Sequence, residues 1–187
     1  MRCFTAIVLP EATRRMLARL GGASVRQSKA VRWSTPDKLH ITLTFLGQVA
    51  DAQLPAVCDA VRAASSDIAP FSVRLAGLGC FPAPRNPRVL WCGIEDPAEG
   101  CARWVAAAEP LLADLGFKPE ARVYTPHITL ARSKSGEGNS ILRRVLQDTA
   151  APRTEELKVR QVVLFESRLD SSGACYMPMA TTRLGGT

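Results

Sequence analysis

The pattern of apolar and polar positions along the chain predicts alternating strands and helices. Short β-branched or alternating apolar runs indicate strands at residues 3–9, 39–46, 71–78, 89–94, 127–131, 157–169 and 176–184. Apolar residues at helical spacing predict helices at residues 11–20, 52–65, 99–115 and 141–146, and polar composition predicts loops at residues 24–31 and 133–139. The strand–helix order repeats, which indicates an α+β fold with two similar lobes.

The main interruption of this pattern is a proline-rich segment at residues 81–87. It contains Pro82, Pro84 and Pro87, and neither a helix interior nor a central strand tolerates that density of proline. Neither half of the chain has a linker long enough to separate it from the other. We therefore expect residues 1–187 to form a single bilobal domain.

Length and composition limit the classes of function. The chain has 187 residues, of which 47% are hydrophobic and 22% are charged. These values are typical of a soluble globular protein that can bury a core without disulfides or metals. The chain contains only two histidines, which excludes a site with three or more histidine ligands.

The N-terminus and the cysteines predict the cellular setting. The apolar run at residues 3–9 is too short for a signal peptide or a membrane span, and Pro10 and Glu11 interrupt it. The six cysteines form no Cys-x-x-Cys pair, which in this context predicts free, buried thiols in a reducing compartment. We expect a monomeric cytoplasmic protein without structural zinc and without a membrane segment.

The charge balance favours an anionic partner. Lys and Arg together number 24 against 17 Asp and Glu, which gives a formal net charge of +7, and 19 of the 24 cations are arginine. Guanidinium groups bind phosphate with two parallel hydrogen bonds and stack on bases. A GC-rich genome also replaces Lys with Arg and Ala, so the charge alone leaves a nucleic-acid partner and a compositional bias as alternatives.

The two histidines occur in the same tetrapeptide. His40-Ile41-Thr42-Leu43 and His127-Ile128-Thr129-Leu130 are separated by 87 residues, and an aromatic residue and a Thr-Pro pair precede each of them. Chance accounts poorly for two such matches that use every histidine of the chain. The repetition indicates an internal duplication, with one His-x-Thr motif in each half.

The geometry of a strand gives this repeat a chemical meaning. Residues i and i+2 share a face, so His40 and Thr42 point one way while the residues between them point into the core. If a pseudo-twofold axis relates the lobes, two imidazoles and two hydroxyls converge on one ligand, and a phosphate suits that cavity. One histidine can then take a proton from water while the other protonates the leaving oxygen. A structural role for each histidine is the alternative, and the matched pair favours catalysis.

These residues resemble the paired motifs of the 2H phosphoesterase superfamily. Further similar segments are Phe4-Thr5-Ala6-Ile7-Val8-Leu9-Pro10, Arg32-Trp33, Thr44-Phe45-Leu46-Gly47, Ala131-Arg132 and Glu166-Ser167-Arg168-Leu169, followed by Gly173 and Tyr176. Together they are most similar to the RNA 2′,3′-cyclic phosphodiesterase branch, also called bacterial 2′-5′ RNA ligase. The resemblance covers nearly the whole chain and is strongest at the motifs.

The resemblance implies both a fold and a reaction. The implied fold is bilobal, with antiparallel sheets flanking a central cleft and helices on the outside. The implied enzyme acts without a metal or other cofactor. A 2′,3′-cyclic phosphate at an RNA end is opened to a 2′-phosphomonoester. His40 would donate a proton to the departing 3′ oxygen, His127 would accept one from water, and Thr42 and Thr129 would hold the phosphate. The reverse reaction would join RNA ends.

Two residues lie five positions after the histidines. Arg132 follows His127, and strict strand alternation would turn it away from the histidine face, so it reaches the phosphate only if the strand ends or bulges near Ala131. The resemblance implies an arginine contact with phosphate at this place. Phe45 has the same offset from His40 and is expected in the core.

Four more residues are candidates for contact with RNA. Phe4 and Trp33 could stack on a base, as exposed aromatic residues of RNA-binding proteins do, or could simply pack in the core. Tyr124 has the same two alternatives. Arg32 is a candidate for contact with the RNA backbone.

Other functions are weighed against this one. No cysteine lies in a recognisable nucleophile setting, and the chain has neither a phosphate-binding Gly-x-x-x-x-Gly-Lys-Ser/Thr loop nor a dinucleotide fingerprint. Two alternatives stay open. One is another 2H branch that acts on small cyclic nucleotides or on ADP-ribose cyclic phosphate. The other is a module that binds RNA ends without turnover.

Overall fold

The computed structural model describes residues 1–150, 152–153, 156–170 and 173–185. In chain order the strands are β1 (Arg2–Val8), β2 (Val31–Trp33), β3 (His40–Gln48), β4 (Phe71–Phe81), β5 (Val89–Glu95), β6 (His127–Ser133), β7 (Leu157–Val159), β8 (Gln161–Asp170) and β9 (Gly173–Arg183). The α-helices are α1 (Glu11–Leu17), α2 (Gly22–Arg26), α3 (Leu54–Ser66), α4 (Gly100–Asp114) and α5 (Gly136–Asp148). Short 3-10 turns occupy Pro36–Lys38 and Asp51–Gln53.

The strands form two antiparallel sheets, and each sheet carries one His-x-Thr motif. The four-stranded sheet has the order β3-β1-β8-β9, and the five-stranded sheet has the order β2-β6-β5-β4-β7. The first motif opens β3 and the second opens β6, and these two strands lie against each other. The α+β class with two antiparallel sheets, predicted from the sequence, is confirmed.

The division of the chain between the sheets differs from a simple split into halves. β2 precedes the first motif in the chain, yet it pairs with β6 in the sheet of the second motif. The C-terminal strands β8 and β9 complete the sheet of the first motif. Each sheet therefore contains segments from both halves of the chain.

The core lies between the sheets and the helices. α3 and α4 pack against each other, and both contact the four-stranded sheet, while α5 covers the five-stranded sheet. The alternation expected around the motifs holds, because Ile41 and Leu43 in β3 and Ile128 and Leu130 in β6 are all buried. Burial of these side chains leaves each histidine and threonine on the opposite face of its strand.

Several boundaries differ from the sequence prediction, and the strand β2 is not predicted at all. The predicted helix at residues 11–20 ends as α1 at Leu17, and the predicted loop at residues 24–31 overlaps α2, which begins after Gly21 with φ 86°. The predicted loop at residues 133–139 overlaps the first turn of α5, where Ser135 Oγ accepts from the Gly138 amide at 3.3 Å. The predicted strand at residues 157–169 is two strands in different sheets, because the chain changes sheet at residue 160.

All six cysteines are free thiols, as the sequence predicts. Four of them, Cys3, Cys80, Cys92 and Cys101, are buried, and the other two are half-buried. Within the part of the chain that the structure describes, no helix is long and apolar enough to cross a membrane. In the same residues, no group of three His, Cys, Asp or Glu side chains is arranged to hold a metal ion.

The contact between α3 and α4 includes a fully buried polar pair. Trp104 Nε1 donates to Ser65 Oγ at 2.9 Å, and Ser65 Oγ donates to the Val61 carbonyl at 2.8 Å. Both side chains are inaccessible to solvent. The serine hydroxyl therefore satisfies the indole N–H, which has no access to water.

We expect Ser65→Ala to lower the free energy of unfolding by about 1–3 kcal/mol, because the Trp104 N–H then has no acceptor. Urea titration followed by tryptophan fluorescence measures this. The control is Ser66→Ala, which removes an exposed hydroxyl bonded to Ala63 and is expected to change the stability by less than about 0.5 kcal/mol. Equal stabilities for the two variants would contradict the assignment.

Candidate active site between the two sheets

Both histidine rings are held in the same way by the backbone. His40 Nδ1 lies 2.9 Å from the Lys38 carbonyl oxygen, and His127 Nδ1 lies 2.8 Å from the Thr125 carbonyl oxygen. A carbonyl oxygen only accepts hydrogen bonds, so Nδ1 carries the hydrogen in both rings. Each ring therefore presents Nε2 as the nitrogen available for proton transfer.

His40 is neutral at pH 7 in the free protein. The pKa of His40 is lowered from 6.5 to about 4, mainly by burial; the hydrogen bond to the Lys38 carbonyl opposes this shift, and the charge of His127 adds to it. His40 Nε2 lies 3.0 Å from Thr42 Oγ1. With the ring neutral, Nε2 is an acceptor, so the threonine hydroxyl donates to it. The strands that carry the two histidines, β3 and β6, also lie against each other.

Aromatic side chains support both histidines. The centroid of the Phe4 ring lies 4.9 Å from that of His40, and the Tyr176 ring stands edge-on to His40 at 5.3 Å. On the other side, Phe81 stands edge-on to His127 at 5.3 Å, and Trp91 lies 6.0 Å from it. Packing against rings restricts the orientation of each imidazole, which a proton-transfer group requires.

The alternative of base stacking by Phe4 is wrong. Phe4 is only 3% exposed, and its ring contacts His40, Phe165 and Tyr176. The packing alternative holds, and Phe4 supports the His40 ring from within the sheet.

A β-bulge brings Arg132 to the histidine face. Val89 pairs with Arg132 and Trp91 pairs with Thr129, while the pairing shifts by one residue at Leu130. Since Val89 and Trp91 are two residues apart and share a face, Arg132 shares the face of Thr129. The positive charge of Arg132 also lowers the pKa of Tyr176, although burial raises it overall. Arg132 is therefore near the ring that contacts His40.

A matching bulge brings Phe45 to the same face, so the expectation that Phe45 lies in the core is wrong. Phe4 pairs with Phe45 and Ala6 pairs with Thr42, and the register shifts at Leu43 between them. Phe45 is consequently 67% exposed, with its ring 6.1 Å from Phe4. The fourth residue of each tetrapeptide is the bulged one, which turns the residue two places later toward the cleft.

Arg32 and Trp33 lie on opposite faces of β2. Arg32 pairs with Arg132 and is exposed on the same face, whereas Trp33 pairs with the buried Ala131. The Trp33 ring lies beside Gly21 and under the Arg26 guanidinium group. The distance from Arg26 Cζ to the centroid of the Trp33 ring is 4.8 Å. The Trp33 ring is half-buried and packs on the core side of the sheet, which favours the packing alternative over base stacking.

Tyr124 is also a packing residue, and its hydroxyl donates to the Thr42 carbonyl at 2.9 Å. Sequence reasoning assigns no role to four of the aromatic residues around the histidines: Phe81, Trp91, Phe165 and Tyr176. For Trp91, the glycine at position 79 is a signal that could have indicated its position. A Cβ atom on residue 79 would lie 2.2 Å from the Trp91 indole ring, so only glycine leaves room for the ring. A glycine opposite an aromatic residue in paired strands indicates that the ring lies across it.

Comparison with known proteins places this chain in a family. A family model described as LigT like Phosphoesterase matches residues 7–91 and 93–176, and each match contains one His-x-Thr motif. The chain belongs to this family. The resemblance to the 2H phosphoesterases is thereby confirmed.

Two relatives named RNA 2′,3′-cyclic phosphodiesterase are similar over most of this chain and of their own length. The RNA 2′,3′-cyclic phosphodiesterase of Methanothermobacter thermautotrophicus is 30% identical over 98% of this chain and 99% of its own. The enzyme of the same name from Aeropyrum pernix is 31% identical over 86% of this chain and 90% of its own.

Two solved structures match the fold. The crystal structure of TT0787 of Thermus thermophilus has a TM-score of 0.81 and 29% identity, covering 100% of this chain and 99% of that one. The structure of E. coli LigT complexed with 3′-AMP has a TM-score of 0.76 and 25% identity, covering 98% and 97%.

The lowered pKa of His40 makes stability depend on pH. As the pH falls from about 6.5 toward 4, the unfolded chain binds a proton at this residue before the folded protein does, so folding stability is lost across that range. We expect His40→Asn, which keeps a donor for the Lys38 carbonyl, to reduce this loss by roughly 2–3 kcal/mol. Urea titrations of both proteins at pH 7.5 and 4.5 measure it. Parallel pH dependences would show that burial does not perturb His40.

Proposed function

We propose that the protein hydrolyses RNA 2′,3′-cyclic phosphate ends to 2′-phosphomonoesters by acid–base catalysis with two histidines. The observation that carries this proposal is the matched presentation of two Nε2 atoms. In each motif the backbone fixes the same tautomer, and a threonine lies on the same face. The names of the relatives support the same substrate class.

In this mechanism His127 takes a proton from the attacking water and His40 gives one to the departing 3′ oxygen. His40 is neutral in the free protein, so its proton has to arrive with the substrate. An anionic phosphate beside the ring favours the charged imidazolium and raises its pKa. Substrate binding and proton uptake are therefore coupled.

Protonation of His40 also releases Thr42 for phosphate binding. The hydroxyl of Thr42 donates to the neutral Nε2, but a protonated Nε2 carries its own hydrogen and no longer accepts. The hydroxyl can then donate to a non-bridging phosphate oxygen. Thr129 supplies the second hydroxyl, and Arg132 neutralises the charge that develops on the phosphate.

The RNA chain continues along the five-stranded sheet in this proposal. Arg32 and Arg132 are directly opposite each other on one face, where like charges repel. Among the residues that the structure describes, neither arginine forms an ion pair. Two unpaired guanidinium groups side by side suit an RNA backbone, with Arg32 binding the phosphate next to the reacting one.

We also propose that the same site permits 2′-5′ ligation. The 5′-hydroxyl of a second RNA end then takes the place of water: it gives its proton to His127 and attacks the cyclic phosphate, and the 3′ oxygen departs with the proton from His40, which leaves a 2′-5′ linkage. We propose that the protein acts as a monomer, since each motif faces the other within one chain. Its six free thiols suit a reducing compartment such as the cytoplasm.

The central test is an assay with an RNA oligonucleotide that ends in a 2′,3′-cyclic phosphate, in the presence of EDTA. We expect a 2′-phosphate product, and we expect His40→Ala and His127→Ala each to lower kcat by about 10²- to 10⁴-fold, the usual contribution of general acid–base catalysis. Chromatography of the digested product identifies the phosphorylated position.

Three outcomes would contradict the proposal. Turnover that requires a metal ion would overturn the mechanism. Tight binding of the cyclic end without turnover would indicate a binding module. A higher kcat/KM for a cyclic mononucleotide than for the oligonucleotide would indicate a 2H branch that acts on small nucleotides.

We also propose that Phe45 stacks on the terminal base. Its exposed ring lies on the cleft face beside Phe4, and base stacking on an aromatic ring contributes about 1–3 kcal/mol. We expect Phe45→Leu to raise KM by about 5- to 150-fold with little change in kcat. The effect should disappear with an RNA whose terminal nucleotide lacks the base.

The matched control for Phe45→Leu is Met177→Ala. Met177 is 43% exposed and follows Tyr176, whose ring is on the cleft side, so Met177 faces the other side of the sheet. We expect the KM of the Met177→Ala variant to equal that of the parent protein. A similar rise in KM with the base-free RNA would contradict a stacking role for Phe45.

A further inference from the structure

A crossed pair of hydroxyl hydrogen bonds ties the two His-x-Thr strands together. Tyr124 Oη donates to the Thr42 carbonyl oxygen at 2.9 Å, and Ser34 Oγ donates to the Thr129 carbonyl oxygen at 2.9 Å. Each donor lies in the segment that leads into one motif, and each acceptor is the threonine of the other motif. The partners are 82 and 95 residues apart in the chain, so no local turn produces these contacts.

The Tyr124 bond closes an open sheet edge. β3 is the edge strand of the four-stranded sheet, and the hydroxyl of Tyr124 supplies a donor to the Thr42 carbonyl of that strand. The next residue, Thr125, accepts the hydrogen bond from His127 Nδ1. The dipeptide Tyr124-Thr125 therefore contacts the backbone of the first motif and the histidine of the second.

The Ser34 bond is at the point where the chain leaves the five-stranded sheet. Ser34 follows β2, its amide donates to the Leu130 carbonyl at 2.8 Å, and its hydroxyl bonds to Thr129. Beyond Ser34 the chain crosses to the 3-10 turn Pro36–Lys38 and then enters β3. Ser34 thus fixes the departure point of the segment that carries His40.

The environment of Tyr124 keeps its hydroxyl in place as a donor. The ring packs against the hydrophobic core, and burial raises the pKa of the Tyr124 hydroxyl well above its usual value, with Cys101 and Asp96 acting in the same direction. The hydroxyl therefore stays protonated at neutral pH. A buried hydroxyl needs an acceptor, and the Thr42 carbonyl supplies it.

We propose that Tyr124 and Ser34 are positioning residues that set the spacing between the two phosphate-binding threonines, an inference that rests on the function proposed above. A phosphate has to contact Thr42 and Thr129 at the same time, so a shift of one strand against the other misplaces both groups. A displacement of about 1 Å can cost about 100-fold in rate. Both hydroxyls are engaged with carbonyl oxygens, so they act through the strands and not on the ligand.

The test compares Tyr124→Phe and Ser34→Ala with the parent protein. Each variant removes one hydroxyl and leaves the remaining packing intact. With the RNA cyclic phosphate we expect kcat to fall by about 5- to 30-fold, whereas KM, set mainly by Phe45 and Arg32, changes by less than about threefold. We expect the Kd for inorganic phosphate to rise by about fivefold, because the anion bridges both threonines.

Two further variants separate positioning from a general structural role. Ser65→Ala removes a buried hydroxyl bond that links α3 with α4, and we expect it to lower Tm at least as much while kcat stays unchanged. Ser34→Thr keeps a hydroxyl and is expected to restore most of the kcat lost in Ser34→Ala. Ser34→Ala and Tyr124→Phe both test the spacing between the two threonines. If one variant folds poorly, the other still decides the question.

The inference is overturned if Tyr124→Phe and Ser34→Ala lower Tm but keep the kcat of the parent protein and its Kd for inorganic phosphate. It is also overturned if Ser65→Ala lowers kcat as much as they do. Failure of the proposed function is a different result, since the parent protein itself would then not convert the RNA cyclic phosphate. In that case the Kd for inorganic phosphate still tests the spacing of the two threonines.

Discussion

The site depends on the burial of the alternate residues of β3 and β6. Ile41 and Ile128 are fully buried and Leu43 and Leu130 nearly so, which fixes the register of both strands against the helices. A slip of one residue in either strand would turn a histidine into the core and an isoleucine into the cleft. The hydrophobic effect thereby determines the face on which the polar residues lie, and the carbonyl of the residue two places earlier then orients each imidazole.

The burial of alternate residues can be predicted from the sequence, whereas the bulges and the pairing of the strands cannot. Alternation around the motifs depends only on the period of a strand, so the faces of His40 and His127 are predictable. The bulges at Leu43 and Leu130 depend on pairing with β1 and β5, and residue types do not reveal them. That is why Arg132 could be assigned only on condition of a bulge, and why Phe45 was misplaced in the core. For the same reason, the sequence does not predict which sheet a strand joins. The strands β7 and β8 are nearly continuous in sequence but lie in different sheets.

The two motifs are alike in sequence and unlike in environment. His40 lies among Phe4, Tyr176 and Phe165, which removes water and lowers its pKa to about 4. These three aromatic residues come from β1, β8 and β9, far apart in the chain, so their convergence on one ring follows from strand pairing. The exchange of strands between the sheets thus gives two motifs of the same sequence different surroundings.

The bulged leucines have a consequence for how such a site can change. Positions 45 and 132 each project from the strand immediately after a bulge, toward solvent and away from the buried layer. A replacement at either position alters the chemistry offered to a ligand, aromatic in one lobe and cationic in the other, with little demand on core volume. Residue changes at these two exposed positions therefore place little demand on the packing of the core, whereas the two bulged leucines belong to the buried layer.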